Sequence, residues 1–105
     1  MFVLVFVTCP DVETAMKIGE QVVRERLAAC VSAVPGVESV FWWKGELDKA
    51  SEVLMLLKTR AALLERLVER VGELHPYEVP EVVAVPIVGG HEEYLSWVRE
   101  ETRSG

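Results

Sequence analysis

The sequence contains no asparagine, one glutamine and two cysteines, and its 105 residues include no cluster of Lys or Arg. The formal net charge is −6, which argues against nucleic acid or an anionic membrane surface as a partner. Residues 1–7 are apolar, but they lack the basic residues of a signal peptide and are too few to span a bilayer. The scarcity of amides is typical of heat-adapted proteins. We therefore expect a cytoplasmic protein with a single domain over residues 1–105.

Motifs that support catalysis are also missing from the sequence. Gly89-Gly90 does not form the glycine-rich pattern that cradles a phosphate. No Ser or Cys lies in the local setting of an activated nucleophile, and the sequence has neither C-x-x-C nor H-x-x-x-H spacing. The two cysteines are expected to stay reduced in a protein of this composition. The sequence thus predicts a protein that is not an enzyme.

The most informative stretch is residues 28–59, which is predicted to form one long β-hairpin. Lys44-Gly45 supplies the turn, because glycine tolerates the positive φ that a tight hairpin needs. Pro35-Gly36 interrupts the first arm and indicates a bulge or bend. At about 3.3 Å per residue this arm is roughly twice as long as the first strand of the chain, so its tip protrudes from the sheet. Three aromatic side chains stand at that tip: Phe41, Trp42 and Trp43.

Four apolar runs of strand length alternate with amphipathic helices along the chain. The predicted strands cover residues 2–8, 30–43, 46–59 and 82–88, and the predicted helices cover 11–27, 60–74 and 92–102. This βαββαβ order predicts an α+β, ferredoxin-like sandwich with strand order 4-1-3-2 and an extra C-terminal helix. Pro86 marks the fourth strand as an edge or a strand end.

Two functions that this fold hosts are disfavoured by the residues. Acylphosphatases require an Arg–Asn pair, and the chain has no Asn. RNA recognition requires aromatic residues that stack on bases in the third strand, where residues 53–57 are aliphatic or Met.

The apolar pattern of the sheet predicts self-association. An antiparallel sheet with one face in water should alternate apolar and polar residues, whereas strands one, three and four are apolar on both faces. The two main helices cover one face only, and a C-terminal helix of about 11 residues is too short to cover four strands. We therefore expect another copy of the chain to cover the second face and the aromatic hairpin tip.

The predicted topology brings several chemically active residues to one edge of the sheet. Cys9 follows the first strand there, and His75, Tyr77 and Glu81 precede the fourth. A thiolate and an imidazole together suit copper or zinc, although each of these residues also fits a purely structural role. Cys30 starts the second strand at the opposite edge, where we expect a small buried side chain. Because Cys9 precedes a Pro turn, we expect its thiol to be the exposed and reactive one.

A set of short motifs resembles the CutA divalent-cation tolerance family over essentially the whole chain. The motifs are R-L-A-A-C at 26–30, P-G at 35–36, W-W-K-G at 42–45, S-E-V at 51–53, K-T at 58–59, H-P-Y-E-V-P-E at 75–81 and Y-L-x-W at 94–97. The resemblance implies a tight homotrimer whose hairpins cross between subunits, similar in architecture to PII-like signalling proteins. It also implies a role in the cellular response to copper and other divalent cations, with no assigned enzyme activity.

The metal ligands that the resemblance implies match this chain only in part. The resemblance implies a Cys late in strand one and a His-His pair before Pro-Tyr, and the corresponding residues here are Val7, Leu74 and His75. Only His75 matches, and Cys9, two residues beyond Val7 on the same side of an extended strand, is the candidate replacement.

Two hypotheses follow for the function. In the first, copper or another soft cation binds near Cys9 and His75. In the second, a small ligand or a partner binds at the clefts between subunits, and effects of divalent cations are indirect. The predicted interface or cleft residues are Phe41, Trp42, Trp43, Tyr77 and Glu81.

Overall fold

The computed structural model describes residues 1–104, which form a four-stranded sheet packed against helices. The strands are β1 (Phe2–Cys9), β2 (Cys30–Trp43), β3 (Glu46–Arg60) and β4 (Val82–Ile87). They lie in the order β2-β3-β1-β4, and all neighbouring strands are antiparallel. This arrangement confirms the predicted strand order and the predicted position of β4 at an edge.

Three helices connect or follow the strands. They are α1 (Val12–Arg24), α2 (Leu64–Leu74) and α3 (Glu92–Glu100), and a short 3₁₀ turn (Ala61–Leu63) precedes α2. The Asp11 carboxylate caps α1 by accepting a hydrogen bond of 2.7 Å from the Thr14 N–H. No helix within residues 1–104 is both long enough and apolar enough to cross a membrane.

Two helix boundaries differ by three or more residues from the sequence-based prediction. The first helix ends at Arg24 rather than near Leu27, because Arg26 has a φ of 62° and the Leu27 N–H turns back to the Val22 carbonyl at 2.9 Å. The second helix begins at Leu64 rather than near Arg60, because β3 continues through Arg60 before the 3₁₀ turn.

The hydrophobic core lies between α1, α2 and one face of the sheet, which we call the covered face. Fully buried side chains from both layers meet there: Val5, Val7, Cys9, Met55 and Leu57 from the sheet, and Ala15, Val22, Leu67 and Val71 from the helices. Gly19 lets α1 approach β2 closely, because a Cβ at this position would lie 3.0 Å from Val31 Cγ1. This face is therefore buried by helices of the same chain.

The opposite face of the sheet is also apolar, and α3 covers only one end of it. There Val98 packs with Phe2 and Ala29. We call the remainder the open face, whose apolar residues include Leu4, Phe6, Leu54, Leu56, Val83 and Val85. Val83 and Val85 are 53% and 44% exposed. The expectation that the last helix is too short to cover this face is confirmed.

The hairpin of β2 and β3 extends beyond the rest of the sheet. β1 pairs with β3 only from Val53 to Arg60, so residues 37–52, which we call the hairpin extension, form a two-stranded ribbon. A register shift between Val34 and Val37 places the predicted bulge at residues 35–36. Lys44 and Gly45 both have positive φ, 50° and 81°, as a tight hairpin turn requires.

Candidate functional site

His75 lies where α2 ends, and the extended link of residues 75–81 begins with it. The side chain is 8% exposed. Its Nε2 lies 2.7 Å from the carbonyl oxygen of Thr8, and its Nδ1 accepts a hydrogen bond of 3.1 Å from the Tyr77 N–H. Because a carbonyl accepts and an amide N–H donates, these contacts place the proton on Nε2 and fix the orientation of the ring.

Cys9 is the last residue of β1, and its side chain belongs to the covered face. Its Sγ lies 3.6 Å from His75 Nε2 and 3.4 Å from Met55 Sδ. The structure thus brings Cys9 and His75 together and adds a thioether that the sequence analysis did not include. We call these residues the Cys9–Met55–His75 cluster. Its donor atoms are a thiol, a thioether and an imidazole nitrogen, which suit soft cations.

The expectation that Cys9 is exposed and Cys30 buried is wrong. Cys9 is fully buried, whereas Cys30 is partly exposed. The reason is that β1 continues through Cys9, so that the thiol lies in the core and not in the Pro turn. Burial, with smaller contributions from the charges of Asp11 and Glu52, raises the pKa of Cys9 to about 11. Cys9 is therefore the protected thiol.

The two distances from Cys9 Sγ to the other donor atoms of the cluster are compatible with ligands of a single cation. With bonds of about 2.3 Å to sulfur and about 2.0 Å to nitrogen, tetrahedral ligands lie roughly 3.5 Å apart. The separations of 3.6 Å between Cys9 Sγ and His75 Nε2 and of 3.4 Å between Cys9 Sγ and Met55 Sδ are close to this value. Within residues 1–104, no three His, Cys, Asp or Glu side chains are arranged to hold a metal ion. The cluster therefore fits a soft cation better than a closed zinc site.

A cleft of about 970 Å³ opens between the hairpin extension and the link. Its walls include all the residues that the sequence analysis assigned to an interface or cleft: Phe41, Trp42, Trp43, Tyr77 and Glu81. Four carboxylates and one ammonium group also line it, and they belong to Asp48, Glu52, Glu78, Glu81 and Lys49. The cleft is thus both aromatic and acidic.

Tyr77 connects the buried cluster with the cleft. Its ring packs on the His75 ring with centroids 4.7 Å apart, and its hydroxyl donates a hydrogen bond of 2.8 Å to Glu52 Oε2. Burial, and secondly this hydrogen bond to the Glu52 carboxylate, raise the pKa of Tyr77 to about 12. The phenol therefore stays protonated near neutral pH, and one side chain touches both candidate sites.

A family model described as CutA1 divalent ion tolerance protein matches residues 3–101. The chain belongs to the CutA family. The divalent-cation tolerance protein CutA of Thermus thermophilus is 50% identical to it over 99 residues, which cover 94% of this chain and 96% of that protein. The chloroplastic protein CutA of Arabidopsis thaliana is 48% identical over 102 residues, covering 97% of this chain. The chain spans little more than half of that relative, 56% of its length.

A crystal structure of CutA1 from Oryza sativa confirms the fold. It is 44% identical, covers 99% of this chain and 95% of its own, and superimposes with a TM-score of 0.95. The predicted α+β sandwich with a long hairpin and an additional C-terminal helix is therefore the CutA fold. The description of the family concerns tolerance of divalent ions and names no reaction.

Sequence reasoning missed two residues of this CutA chain that matter for the candidate sites, Met55 and Glu52. Both lie in β3, where Val53 pairs with Cys9. Met55 shares the covered face with Cys9, and Glu52 lines the cleft. The pairing register of the first and third strands would have identified them, because it decides which side chains of β3 lie beside the end of β1.

Proposed function

We propose that this chain acts in the cellular tolerance of divalent cations as a binding protein rather than an enzyme, and that it holds copper or another soft cation at the Cys9–Met55–His75 cluster. Family membership supports the first part. The contact of three soft donors, with Cys9 Sγ within 3.6 Å of the other two, supports the second. Bound copper would act as a soft Lewis acid, and its retention, not a reaction, is the proposed role.

Two residues must change state for a cation to bind. The Cys9 thiol has to release its proton, because the thiolate is the ligand, and the burial that raises its pKa to about 11 opposes this. His75 Nε2 has to give up its proton and its contact with the Thr8 carbonyl. A site with these costs favours cations that bind thiolate strongly and disfavours hard cations such as Mg²⁺.

A homotrimer is the proposed assembly. The open face and the hairpin extension both present apolar side chains that the chain does not cover, among them Val83 and Trp42, which are 53% and 73% exposed. Such surfaces are typical of an interface between subunits. The number of three subunits rests on the family resemblance.

A cytoplasmic location is proposed from the state of the cysteines. Both are free, and unpaired thiols persist in compartments that keep thiols reduced. The Arabidopsis relative is named chloroplastic, so the compartment of this chain needs its own measurement. Fractionation of cells that express a tagged copy would provide it, and recovery in a membrane or periplasmic fraction would contradict the proposal.

The cleft supports a second candidate function, the binding of a small ligand. Its volume of about 970 Å³ lies at the upper end of the range for small-molecule sites, about 300–1,000 Å³. In this alternative the effect of divalent cations on cells is indirect, and the ligand is recognised by the aromatic and carboxylate side chains of the cleft.

Titration of the purified protein with Cu(I) under anaerobic conditions, with Zn(II) and Mg(II) in parallel, tests the cluster. We expect micromolar or tighter binding of Cu(I) to the wild type. Binding should be lost in the Cys9→Ala/His75→Ala variant and kept in the matched control Cys30→Ala, which removes the other thiol. Met55→Leu conserves volume and removes only the sulfur, so it should weaken Cu(I) binding more than Zn(II) binding.

The same titration separates the two candidate functions. Cu(I) binding that persists in the double variant, or that is lost equally in Cys30→Ala, contradicts the cluster as the site. Melting curves of the wild type and the three variants show whether any loss reflects unfolding. A weak response to every metal, unchanged by these substitutions, favours the cleft as the functional site.

A further inference from the structure

The hydrogen bonds of the His75 ring are the reverse of those of a metal-bound histidine. A neutral imidazole that binds a cation through Nε2 keeps its proton on Nδ1 and donates it to a carbonyl or carboxylate oxygen. Here Nδ1 accepts a hydrogen bond of 3.1 Å from the Tyr77 N–H, and Nε2 lies 2.7 Å from the Thr8 carbonyl oxygen. Nε2, which lies 3.6 Å from Cys9 Sγ, therefore carries the proton and has no lone pair for a cation.

A transfer of the proton between the ring nitrogens does not by itself make Nε2 available. A proton on Nδ1 would point at the Tyr77 N–H, 3.1 Å away. Because both groups would then be donors, no hydrogen bond would join them. A rotation that exchanges the two edges of the ring would break the same contact. Cation binding through Nε2 therefore requires that the His75 ring and the Tyr77 backbone separate.

The side chain of Tyr77 opposes this separation. Its ring packs on the His75 ring with centroids 4.7 Å apart, and its hydroxyl donates a hydrogen bond of 2.8 Å to Glu52 Oε2. Glu52 belongs to β3 and is 8% exposed. A hydrogen bond to a charged group is roughly twice as strong as one between neutral groups. Glu52 thus holds Tyr77 on the sheet and, through Tyr77, fixes the tautomer of His75.

The link has few other contacts that hold it on the sheet. Pro76 and Pro80 have no N–H, and within residues 1–104 the Tyr77–Glu52 bond is the one hydrogen bond between residues 76–80 and the sheet. A segment fixed by so few contacts separates from the sheet more easily than the core unfolds. We propose that the link has a closed position, seen in this structure, in which Tyr77 and Glu52 hold His75 in a tautomer that excludes cations from Nε2. In its open position the contacts of Tyr77 are broken, and the cluster accepts a soft cation.

This inference rests on the proposed function, because the cation is the one assigned to the Cys9–Met55–His75 cluster. The contacts that carry it lie within one chain, so it applies to the protein in its assembled form. Two measurements without metal test it first. Nitrogen NMR of the histidine rings should show the Nε2–H tautomer for His75, and a His91→Gln variant identifies its signal, since the chain has two histidines. The rate at which iodoacetamide alkylates Cys9, followed by mass spectrometry, reports opening of the link, because the His75 ring lies 3.6 Å from the thiol.

Tyr77→Phe is the decisive variant, because it keeps the ring and removes only the hydroxyl that binds Glu52. Alkylation of Cys9 should become roughly tenfold faster, as expected for loss of one hydrogen bond to a charged group. Cu(I) should bind more tightly by a similar factor, because the open position is more populated. Tyr94→Phe is the matched control: it removes the other tyrosine hydroxyl of the chain, in α3, and should change neither quantity.

Glu52→Gln is a second test, which serves if Tyr77→Phe fails to fold. The amide oxygen still accepts the hydrogen bond from Tyr77, but the charge that strengthens this bond is removed. Both effects should therefore have the same direction as in Tyr77→Phe and be smaller. Glu65→Gln removes the same charge from the exposed surface of α2 and should leave alkylation and Cu(I) binding unchanged.

Several results would overturn the inference. They are an Nδ1–H tautomer of His75 in the metal-free wild type, an unchanged rate of Cys9 alkylation in Tyr77→Phe, an equal acceleration in Tyr94→Phe, and weaker Cu(I) binding by Tyr77→Phe. If one of these occurs while the wild type binds Cu(I) at the cluster, the inference is wrong and the proposed function stands. If the metal-free results are as expected but neither the wild type nor Tyr77→Phe binds Cu(I), the proposed function fails, and control of cation binding by the link fails with it.

Discussion

The two faces of the sheet have similar apolar residues but different relations to the rest of the chain. On the covered face, Leu57 is fully buried by α1 and α2. Its neighbour Leu56, on the open face, is only partly buried, and Val83, which lies on the other side of Phe6 from Leu56, is 53% exposed. The covered face therefore contributes to folding of one chain, whereas the open face and the hairpin extension contribute only when a partner is present. An apolar pattern in a strand therefore indicates that a face is buried, but not whether the same chain or another subunit buries it.

The largest effect is expected at the hairpin extension. Burying one Trp contributes on the order of 3 kcal/mol or more, and a closed trimer repeats each contact in every subunit. Wild type should be a trimer by light scattering down to nanomolar concentration, and Trp42→Asp/Trp43→Asp should dissociate, aggregate or melt at a much lower temperature. Met16→Asp, which changes an exposed apolar residue of α1 (48% exposed), is the control. A monomeric wild type, or a double variant with unchanged assembly and melting, would contradict this account.

The next largest effect is expected for alanine substitutions of two adjacent leucines, one on each face of the sheet. Leu57→Ala should lower the free energy of unfolding by about 2–5 kcal/mol at every protein concentration, because it leaves a cavity in the core. Leu56→Ala should lower stability in a way that depends on protein concentration, because it weakens association. Urea unfolding at two concentrations measures both. Equal losses that do not depend on concentration would show that the open face is not an interface.

The two thiols probe the same contrast, since Cys9 lies on the covered face and Cys30 at the margin of the open one. Brief treatment with iodoacetamide, followed by mass spectrometry, should label Cys30 well before Cys9. Burial and the raised pKa of about 11 keep Cys9 protonated and inaccessible. In the Trp42→Asp/Trp43→Asp variant, labelling of Cys30 should be faster still. Labelling of Cys9 first would mean that the end of β1 opens readily.

The smallest expected effect concerns an ion pair on the helical side. Arg70 forms a salt bridge of 3.0 Å with Glu25; hydrogen bonds from Arg70 and secondly from Gln21 lower the pKa of Glu25 below its usual value. Because the pKa of the Glu25 carboxyl is lower in the folded than in the unfolded state, its ionised form stabilises the protein at pH values above the unfolded-state pKa, near 4.3. This stabilisation is lost as the pH falls through the folded-state pKa. Stability should therefore fall less steeply in acid for Glu25→Gln than for wild type. An unchanged slope, or an equal change in Glu65→Gln, would contradict it.

Much of the fold was predictable because local residues dictate it. Lys44-Gly45 and Pro35-Gly36 fixed the turn and the bulge, and the order of apolar runs fixed the topology. The end of α1 was not predictable in this way, because nothing about Arg26 marks it for a positive φ of 62°. Such a conformation follows from packing at the end of the helix rather than from propensity.

The candidate site was predictable in its location but not in its detail. Side chains of a strand alternate between faces, so extending β1 by one residue, through Cys9, moves the thiol from a turn into the core. Met55 and Glu52, which lie on opposite faces of β3, were missed for the same reason. Their positions beside the end of β1 depend on the pairing register of the two strands, which the sequence analysis did not predict. The aromatic residues of the cleft were easier to predict, because their size alone made them unsuited to water.

The bulge at residues 35–36 has a consequence for local unfolding. Beyond it, and within residues 1–104, the two arms of the hairpin extension form strand pairs only with each other, and an isolated two-stranded ribbon is marginally stable in water. Amide hydrogens of residues 37–52 should therefore exchange with solvent far faster than those of residues 53–60 whenever the chain is alone. Protection of those amides would come from subunit contact, so the exchange rate of this segment reports the assembly of the protein residue by residue.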